Sequence, residues 1–171
     1  MNTPVRAGKA SAAAGVEKEK MKRRKIIGLI AHDACKKDMI EWAAFNARRL
    51  SPHRLVCTGT TGKLIQEVFA EQYPDLDVDL TCLKSGPLGG DQQMGALIAE
   101  GRLDILVFFT DPMTMQPHDV DIKALIRLST IANIVVACTR STADFVISSE
   151  LFDGDYEAVS PDHQTYVNRS V

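Results

Sequence analysis

Residues 25–50 read KIIGLIAHDACKKDMIEWAAFNARRL, in which a short apolar run leads directly into a longer, partly polar one. The first run, residues 25–31, has the length and continuous apolar character of a buried β-strand. In the second, residues 33–50, apolar side chains recur at helical spacing, which predicts an amphipathic helix with Asp33 as its N-cap. A buried strand joined so closely to a helix is typical of a βα unit, the repeating element of parallel sheets.

The same alternation of strand and helix continues to residue 152. Four further strands are predicted at residues 54–59, 78–84, 104–110 and 133–139, with helices at about 63–73, 92–100, 119–132 and 142–152. Strands that alternate with helices build a parallel sheet covered by helices on both faces. The sequence therefore predicts a three-layer α/β/α domain of the flavodoxin-like, doubly wound type, with a five-stranded and mainly parallel sheet.

The first 24 residues differ in composition from the rest of the chain. They are rich in alanine, lysine and arginine, which predicts a basic, disordered extension before an α/β domain at residues 25–171. The first 25 residues carry eight basic and two acidic side chains, so residues 26–171 have a net charge of −8. An acidic domain argues against a broad nucleic-acid surface. The extension is interpreted as a solvated tail, with contact to an acidic partner as the alternative.

The chain carries no recognisable membrane or secretion signal. No apolar run reaches the 18 residues that a membrane span needs, and the N-terminal segment lacks a secretory apolar core. Glu17 and Glu19 disfavour a mitochondrial presequence. The four cysteines, at positions 35, 57, 82 and 138, form no C-x-x-C pair and suggest no zinc site. These features predict a cytoplasmic protein that does not contact membranes.

The loops that follow the strands concentrate the polar chemistry. In open parallel α/β sheets, ligands bind beyond the carboxyl ends of the strands. Those ends carry the segments AHDACK, TGTTGK, SGPLGGDQQ, FTDPMTMQPHD and CTRSTAD, which are rich in hydroxyls, glycines, acids and histidines. We therefore expect the functional site at this edge of the sheet.

The segment CTGTTGK, residues 57–63, indicates an anion site. Small residues at the start of a helix let backbone N–H groups point at an oxyanion, and the helix dipole favours negative charge there. The segment is not a nucleotide P-loop, because its spacing differs from G-x-x-x-x-G-K-[ST] and Leu64 stands in the Ser/Thr place. A small phosphate ester is the expected ligand, and an ordinary turn with a threonine N-cap is the alternative.

His32 and Lys36 follow the end of the first strand. A lysine in the first helical turn opposes the helix dipole, and a bound anion would remove that conflict. The alternative is a solvent-exposed lysine and a histidine at the edge of the core. Lys37 is expected to point away from the site.

The segment SGPLGGDQQ, residues 85–93, places a single acid among three glycines. Its glycines can adopt positive φ and let the backbone approach a ligand closely. Asp91 has two interpretations. It caps a helix that begins at Gln92, or it acts as a general base in a pocket that tunes its pKa.

The segment FFTDPMTMQPHDVD, residues 108–121, contributes one histidine and three acids. Asp119 is predicted as the N-cap of the next helix, and Asp121 as an acid in its first turn. His118 precedes that helix and is placed to offer an imidazole to a substrate oxygen, while Asp111 follows the preceding strand. No i, i+4 histidine pair supports a metal site here, and none is predicted.

Taken together, the loops resemble those of the methylglyoxal synthase family. The matching segments are AHDACK, TGTTGKLI, SGPLGGDQQMGALI, FFTDPMTMQPHDVDIKALIRL and TADFVI. They occur in the expected order and the resemblance spans residues 26–169, with GPLGGDQQ as its most specific run. The resemblance implies conversion of dihydroxyacetone phosphate to methylglyoxal and inorganic phosphate, without a metal or organic cofactor. It also implies a homohexamer that phosphate inhibits.

The resemblance assigns roles to individual residues. Asp91 corresponds to the catalytic base, and His118 to a second catalytic residue that also contacts the substrate. The other substrate-binding positions correspond to His32, Lys36, Thr58, Gly59, Thr60, Thr61, Ser85 and Gly86. Asp111 and Asp121 match supporting acids, and Arg169 matches an arginine directed toward the phosphate site of a neighbouring subunit.

Two features depart from the family pattern, and two other classes of protein stay open. The basic extension has no family role, and the segment 67–82 is longer than in the shorter members. One alternative is a regulatory module like that of carbamoyl phosphate synthetases, which binds a small molecule without elimination; Asp91 together with His32 and His118 favours the enzyme. The other is a flavodoxin-like phosphotransferase or nucleotide-binding protein, which the failed P-loop spacing disfavours.

Overall fold

The structure, a computed structural model, describes residues 18–21, 24–115, 117–159 and 161–169. Its strands are β1 (Lys18–Met21), β2 (Ile26–Ala31), β3 (Arg54–Cys57), β4 (Asp79–Cys82), β5 (Ile105–Phe109), β6 (Val135–Ala137) and β7 (Tyr156–Val159). Its α-helices are α1 (Lys36–Phe45), α2 (Ala47–Leu50), α3 (Gly59–Gln72), α4 (Gly90–Ala99), α5 (Asp119–Ile131), α6 (Arg140–Ser148), α7 (Glu150–Asp153) and α8 (Gln164–Val167). Short 3₁₀ turns occupy Asp33–Cys35 and Gly86–Leu88.

Five strands form one sheet with the order β4-β3-β2-β5-β6, and every neighbouring pair in it is parallel. The predicted α/β/α fold with a parallel five-stranded sheet is confirmed. The chain order reverses at β2, because β3 and β4 lie on one side of it whereas β5 and β6 lie on the other. The crevice between β2 and β5 is thus the topological switch point at which doubly wound sheets bind ligands.

The two central strands carry the core. All five residues of β5 are buried, and β2 is buried from Ile27 onward. One apolar cluster, which includes Trp42 and Phe69, lies between the sheet and the helices α1, α2, α3, α6 and α7. The other, which includes Met94 and Phe108, lies under α4 and α5. Because helices cover both faces, the polar loops are left at the strand ends.

Helices on one face of the sheet begin at other residues than predicted. α1 begins at Lys36 after a 3₁₀ turn, so Asp33 is not its N-cap; the Asp33 carboxylate instead accepts a hydrogen bond from the Lys36 ammonium. The predicted helix also breaks at Asn46, whose side-chain amide donates to the Trp42 carbonyl and competes with the helical backbone pattern. α3 begins at Gly59, four residues before the predicted start, which brings the threonines of this segment into its first turn.

Asp91, for which a helix cap was one of two interpretations, and Asp119, which was predicted as an N-cap, both lie inside their helices. α4 begins at Gly90, and its N-cap is Gly89, whose φ of 100° is a conformation that glycine adopts without strain. Asp91 is therefore the second residue of the helix and not its cap. α5 begins at Asp119 with His118 at the N-cap position, so the prediction for Asp119 was also wrong.

A second, two-stranded sheet lies outside the predicted fold. β1 pairs antiparallel with β7, with Lys18 opposite Val159. β1 belongs to the extension for which disorder was expected, so residues 18–21 differ from that expectation. Residues 1–17, 22 and 23 of the extension lie outside the described residues. Within the described ranges, no helix combines the length and apolarity needed to cross a membrane.

Candidate active site

A cavity of about 370 Å³ opens at the carboxyl ends of β2, β3, β4 and β5. The predicted site residues that line it are His32, Lys36, Thr58, Thr60, Thr61, Ser85, Gly86, Asp91 and His118. Six further lining residues were not assigned to the site from the sequence, namely Ile30, Ala31, Asp33, Pro87, Phe108 and Pro117. Each of these adjoins a predicted site residue in sequence or lies in a predicted strand close to its carboxyl end, which is the signal that would have found it.

Four buried polar atoms of these lining residues have no hydrogen-bond partner in the described part of the chain. They are His32 Nε2, Thr61 Oγ1, Asp91 Oδ2 and His118 Nδ1. Buried polar atoms in folded proteins are nearly always paired. Four exceptions around one cavity mark it as a place where a polar ligand supplies the hydrogen bonds.

Asp91 lies in the first turn of α4, and only 3% of its surface is exposed. Burial is the main cause that raises the pKa of its carboxyl group above the ordinary value. The nearby charge of Asp121 raises this pKa further, whereas His118 and His32 lower it. A carboxylate with a raised pKa is a stronger base than an exposed one, as proton abstraction from carbon requires.

His118, at the N-cap position of α5, lies beside this carboxylate. Its Nε2 atom is 3.5 Å from Asp91 Oδ2, which is longer than an effective hydrogen bond. The imidazole and the carboxylate therefore lie side by side without a strong direct bond. Both can contact a ligand in the same part of the cavity.

His32 follows β2, and its ring is held by the backbone of the loop that follows the neighbouring strand β5. Its Nδ1 atom accepts a 2.8 Å hydrogen bond from the backbone N–H of Asp111. A nitrogen that accepts a hydrogen bond carries no proton, so the neutral ring bears its proton on Nε2. Burial, and to a lesser degree the charge of His118, lowers the pKa of His32. The ring, which packs edge-on against Phe108, thus presents a neutral N–H donor.

Gly86 keeps the space between these groups open. A Cβ atom built on Gly86 would lie 3.1 and 3.2 Å from the two carboxylate oxygens of Asp91. The same atom would lie 3.3 Å from His118 Nε2. Any larger residue would fill the volume in which a ligand can reach both the carboxylate and the imidazole.

The N-terminus of α3 forms the other end of the cavity. Thr58 occupies the N-cap position, and its side chain makes no capping hydrogen bond. The backbone N–H of Gly59 donates to the Lys84 carbonyl, at 3.0 Å. Those of Thr60 and Thr61 lie in the first helical turn, where N–H groups have no intrahelical acceptor. Amide donors and the positive end of the helix dipole together suit a phosphate group.

Lys36 adds a cation to the cavity wall. Its side chain is 23% exposed and forms an ion pair with the largely exposed Asp33. Lys37 is exposed and is not part of the cavity wall, as its predicted orientation requires. Lys36 is therefore part of the cavity wall, and its role in anion binding stays a prediction.

Three predicted supporting residues are not part of the cavity wall. The Asp111 carboxylate accepts the backbone N–H of Met113, at 2.9 Å, and so stabilises its own loop. Asp121 lines a separate groove between α4 and α5, which reaches Asp91 from its other side. The Arg169 guanidinium stacks on the ring of Tyr166, 3.6 Å from its centroid. Asp121 thus acts on Asp91 by its charge, and Arg169 contacts no residue of the cavity among the contacts described.

Metal-binding clusters were a further possibility for this site. Across residues 18–21, 24–115, 117–159 and 161–169, no group of three or more His, Cys, Asp or Glu side chains is arranged to hold a metal ion. The cofactor-free reaction implied by the sequence stays a prediction.

A doubly wound α/β sheet with a buried carboxylate at one end of its switch-point cavity and a helix N-terminus at the other defines the MGS-like class of domain. The family described as the MGS-like domain matches residues 38–139. The chain belongs to the methylglyoxal synthase family.

Curated relatives and a solved structure support this membership. The methylglyoxal synthase of Oleidesulfovibrio alaskensis is 50% identical over 149 residues, which cover 87% of this chain and 97% of the relative. That of Yersinia enterocolitica is 49% identical over 146 residues, covering 85% and 91%. The crystal structure of methylglyoxal synthase from Elizabethkingia anophelis superposes with a TM-score of 0.81 at 45% identity, covering 91% of this chain and 97% of that one.

Proposed function

We propose that the cavity converts dihydroxyacetone phosphate to methylglyoxal and inorganic phosphate, which makes the protein a carbon–oxygen lyase. The observation that carries the proposal is the group of four buried, unpartnered polar atoms around one cavity. A base and two imidazoles lie at one end of the cavity and a helix N-terminus lies at the other, and a lysine adds a positive charge to the wall. This arrangement of chemical groups matches a small molecule with a carbonyl at one end and a phosphate at the other.

Asp91 removes a proton from the hydroxymethyl carbon. That carbon is weakly acidic, so the base needs a raised pKa and a fixed position, and burial in the first turn of α4 supplies both. The product of this step is an enediolate phosphate. The proton then resides on the Asp91 carboxyl group.

His32 and His118 stabilise the charge that develops on the two oxygens of the enediolate. The His32 Nε2–H is a neutral donor because Asp111 holds Nδ1 as an acceptor. The two imidazole rings lie 6.4 Å apart, edge to face, so that they reach neighbouring oxygens of one small ligand. Preorganised donors aimed at a developing oxyanion are among the largest contributions to such catalysis.

The phosphate leaves at the other end. The enediolate electrons form a carbonyl at the former hydroxymethyl carbon and shift its double bond toward the third carbon, as the electron pair of the carbon–oxygen bond leaves with the phosphate. The phosphate takes up the proton that Asp91 had removed, so it departs as the dianion, and the enol product tautomerises to methylglyoxal. Elimination needs that carbon–oxygen bond roughly perpendicular to the enediolate plane. The amides of Thr60 and Thr61 and the Lys36 ammonium hold this rotamer and neutralise the departing dianion, with Thr58 and Ser85 completing the cradle. Gly59, also expected to bind the substrate, is not part of the cavity wall, and its N–H donates to the Lys84 carbonyl instead.

Inorganic phosphate competes with the substrate for this cradle, because both present the same dianion.

The chain also assembles as a homohexamer, in which Arg169 approaches the phosphate site of a neighbouring subunit, and it resides in the cytoplasm. Support for assembly comes from large apolar side chains at the surface, such as Phe45 and Phe145, which are 85% and 83% exposed. Light scattering at micromolar concentration tests the hexamer, and a monomer would remove both the assembly and the role of Arg169.

The function is tested by incubating the purified protein with dihydroxyacetone phosphate. Equal amounts of methylglyoxal, trapped as a derivative, and inorganic phosphate are expected. Binding of the substrate without turnover would instead favour a regulatory module, the other role known for this fold. The buried base beside two imidazoles favours the enzyme, since binding alone does not need a carboxylate in a dry cavity.

A further inference from the structure

The backbone of Lys84 joins the two ends of the active site. Its carbonyl accepts a 3.0 Å hydrogen bond from the N–H of Gly59, the first residue of α3. Its own N–H donates a 2.8 Å hydrogen bond to Oε1 of Gln93, in α4. One residue of the chain therefore links the helix that carries the phosphate cradle to the helix that carries Asp91.

The Lys84–Ser85 segment, which joins the two helices, is closely packed against both of them. A Cβ atom built on Gly90 would lie 2.1 Å from the Lys84 carbonyl oxygen, and one built on Gly59 would lie 3.0 Å from the backbone N of Ser85. The N–H of Gly90 also donates to the Ser85 carbonyl, at 2.9 Å. Both helices thus approach the Lys84–Ser85 segment closely, since only glycine fits at position 90 and a Cβ atom at position 59 would be tight. Small displacements there are transmitted to the cradle.

Gln93 supplies the single side chain among these backbone contacts. It lies two residues after Asp91, its side chain is exposed, and it is not part of the cavity wall. We propose that Gln93 is a positioning residue that fixes the phosphate cradle relative to the base, and so favours elimination of phosphate over return of the proton to carbon. This inference rests on the proposed function.

Proton abstraction and phosphate elimination depend differently on the hydrogen bond between Gln93 and Lys84. Asp91 is held independently of Gln93, because α4 is anchored in the core by Met94 and Ile98, which are 0% and 1% exposed. Loss of the Gln93 bond therefore leaves proton abstraction largely intact. It loosens the Lys84–Ser85 segment and, through Gly59, the start of α3, which together set the rotamer of the departing phosphate.

The experiment compares elimination with proton return in D₂O. Each variant reacts with dihydroxyacetone phosphate to low conversion, and mass spectrometry measures deuterium in the recovered substrate against methylglyoxal formed. Gln93→Met removes the acceptor at nearly constant length, Gln93→Glu retains an acceptor oxygen, and Gln92→Met is the matched control on the same exposed helix surface. Preparations are checked for contaminating triose phosphate isomerase, which would itself exchange the proton.

For Gln93→Met we expect a kcat for methylglyoxal lowered about 3- to 10-fold, as loss of one neutral hydrogen bond implies. The ratio of deuterated substrate to methylglyoxal should rise by a similar factor, with KM little changed. Gln93→Glu and Gln92→Met should match the wild-type ratio. If Gln93→Met does not fold, as judged by circular dichroism, Gln93→Asn shortens the same amide and should shift the ratio in the same direction.

The outcomes separate this inference from the proposed function. A wild-type protein that forms no methylglyoxal overturns the proposed function itself. A wild-type protein that is active, with an unchanged exchange ratio in the Gln93 variants, overturns the positioning role. A lowered rate with an unchanged ratio and a lowered melting temperature also overturns it, because that result describes a structural residue alone.

Discussion

The imidazole of His32 and the backbone N–H of Asp111 are joined by a 2.8 Å hydrogen bond in which the ring nitrogen Nδ1 is the acceptor. This bond links the ends of the two central strands, because His32 follows β2 and Asp111 follows β5 by two residues. It determines which nitrogen of His32 faces the substrate with a proton. In the proposed function, the carbonyl of the substrate would therefore meet an N–H donor and not a lone pair.

The tautomer can be observed directly. We expect ¹⁵N NMR of histidine-labelled protein at pH 7 to show His32 as a neutral ring with its proton on Nε2. The ring should remain neutral at pH values below 6.5, because burial lowers its pKa from that ordinary value. A His32 ring that titrates at or above pH 6.5, or that carries its proton on Nδ1, would contradict this assignment.

Asp91→Asn should abolish methylglyoxal formation while leaving the fold intact. Asparagine keeps the shape of the side chain but cannot accept a proton, and loss of a general base lowers rates by about 10²–10⁴-fold. Steady-state assays with circular dichroism of the same samples measure both effects. A variant that retained half of the wild-type rate would leave Asp91 without a catalytic role.

The same substitution should stabilise the protein at neutral pH. The folded state raises the Asp91 pKa above 3.8, so ionisation of this group destabilises the fold as pH rises from about 4 through the raised pKa. Asparagine removes that penalty, so the free energy of unfolding should rise at neutral pH. Since 1 kcal/mol corresponds to about 2–4 °C here, the melting temperature should rise at pH 7, and the gain should vanish below about pH 4.

The acid limb of the pH profile should depend on Asp121. The rate constant kcat/KM should fall as pH falls through the raised pKa of Asp91, because only the carboxylate accepts the proton. Asp121→Asn removes a charge that raises this pKa, so the acid limb should move to lower pH. Asp119→Asn is the matched control, since its carboxylate pairs with Lys123, at 2.7 Å, and does not affect Asp91. An acid limb that moves equally in both variants would indicate a general charge effect.

The sheet and the location of the site could be predicted from the sequence, because continuous apolar runs can only be buried strands when short polar loops and helices follow each of them. The residues at which the helices begin were harder to predict. The threonines after β3 have weak helix propensity, and tertiary contacts such as that between Gly59 and the Lys84 carbonyl decide where α3 begins. Asp91 illustrates the same limit, since a left-handed Gly89 takes the cap position.

Gln93 could not be predicted from any local pattern. A glutamine in a helix is typical of a solvated surface. The proposed role of Gln93 depends on a hydrogen bond that its side-chain oxygen accepts from the N–H of Lys84, nine positions earlier in the chain. The pairing of β1 with β7 likewise joins segments at opposite ends of the sequence. Both features arise from the assembled fold and not from periodicity or composition.

Gly86→Ala should inactivate the enzyme without unfolding it. The added methyl group would lie 3.1–3.3 Å from the Asp91 carboxylate and the His118 ring, in the space that the substrate must enter. Misplacement of reacting groups by about 1 Å lowers rates about 10²-fold, so a loss of that order is expected in kcat/KM. Gly154→Ala is the control, because its new Cβ would meet nothing closer than 3.4 Å. Equal activity of both variants would show that the substrate does not occupy this space.

Phosphate binding tests the other end of the cavity. Lys36 and the N-terminus of α3 should bind inorganic phosphate and the substrate with the same contacts, so Lys36→Met should weaken both together. Hydrogen bonds to charged groups contribute about 1.5–3 kcal/mol, which corresponds to an affinity loss of about 10- to 150-fold. The loss should lie toward the lower end, because Lys36 gives up its ion pair with Asp33 when it binds phosphate.

Lys37→Met is the matched control for this measurement, since Lys37 has the same charge and adjoins Lys36 but is exposed and outside the cavity wall. Thr60→Val should weaken phosphate binding less than Lys36→Met, because it removes a neutral hydroxyl and keeps the backbone amide. Calorimetric titration of each protein with phosphate gives the dissociation constants, and inhibition by phosphate gives the matching kinetic values. If Lys36→Met and Lys37→Met bound phosphate equally well, the phosphate would bind elsewhere. The leaving group would then have to depart from another part of the cavity.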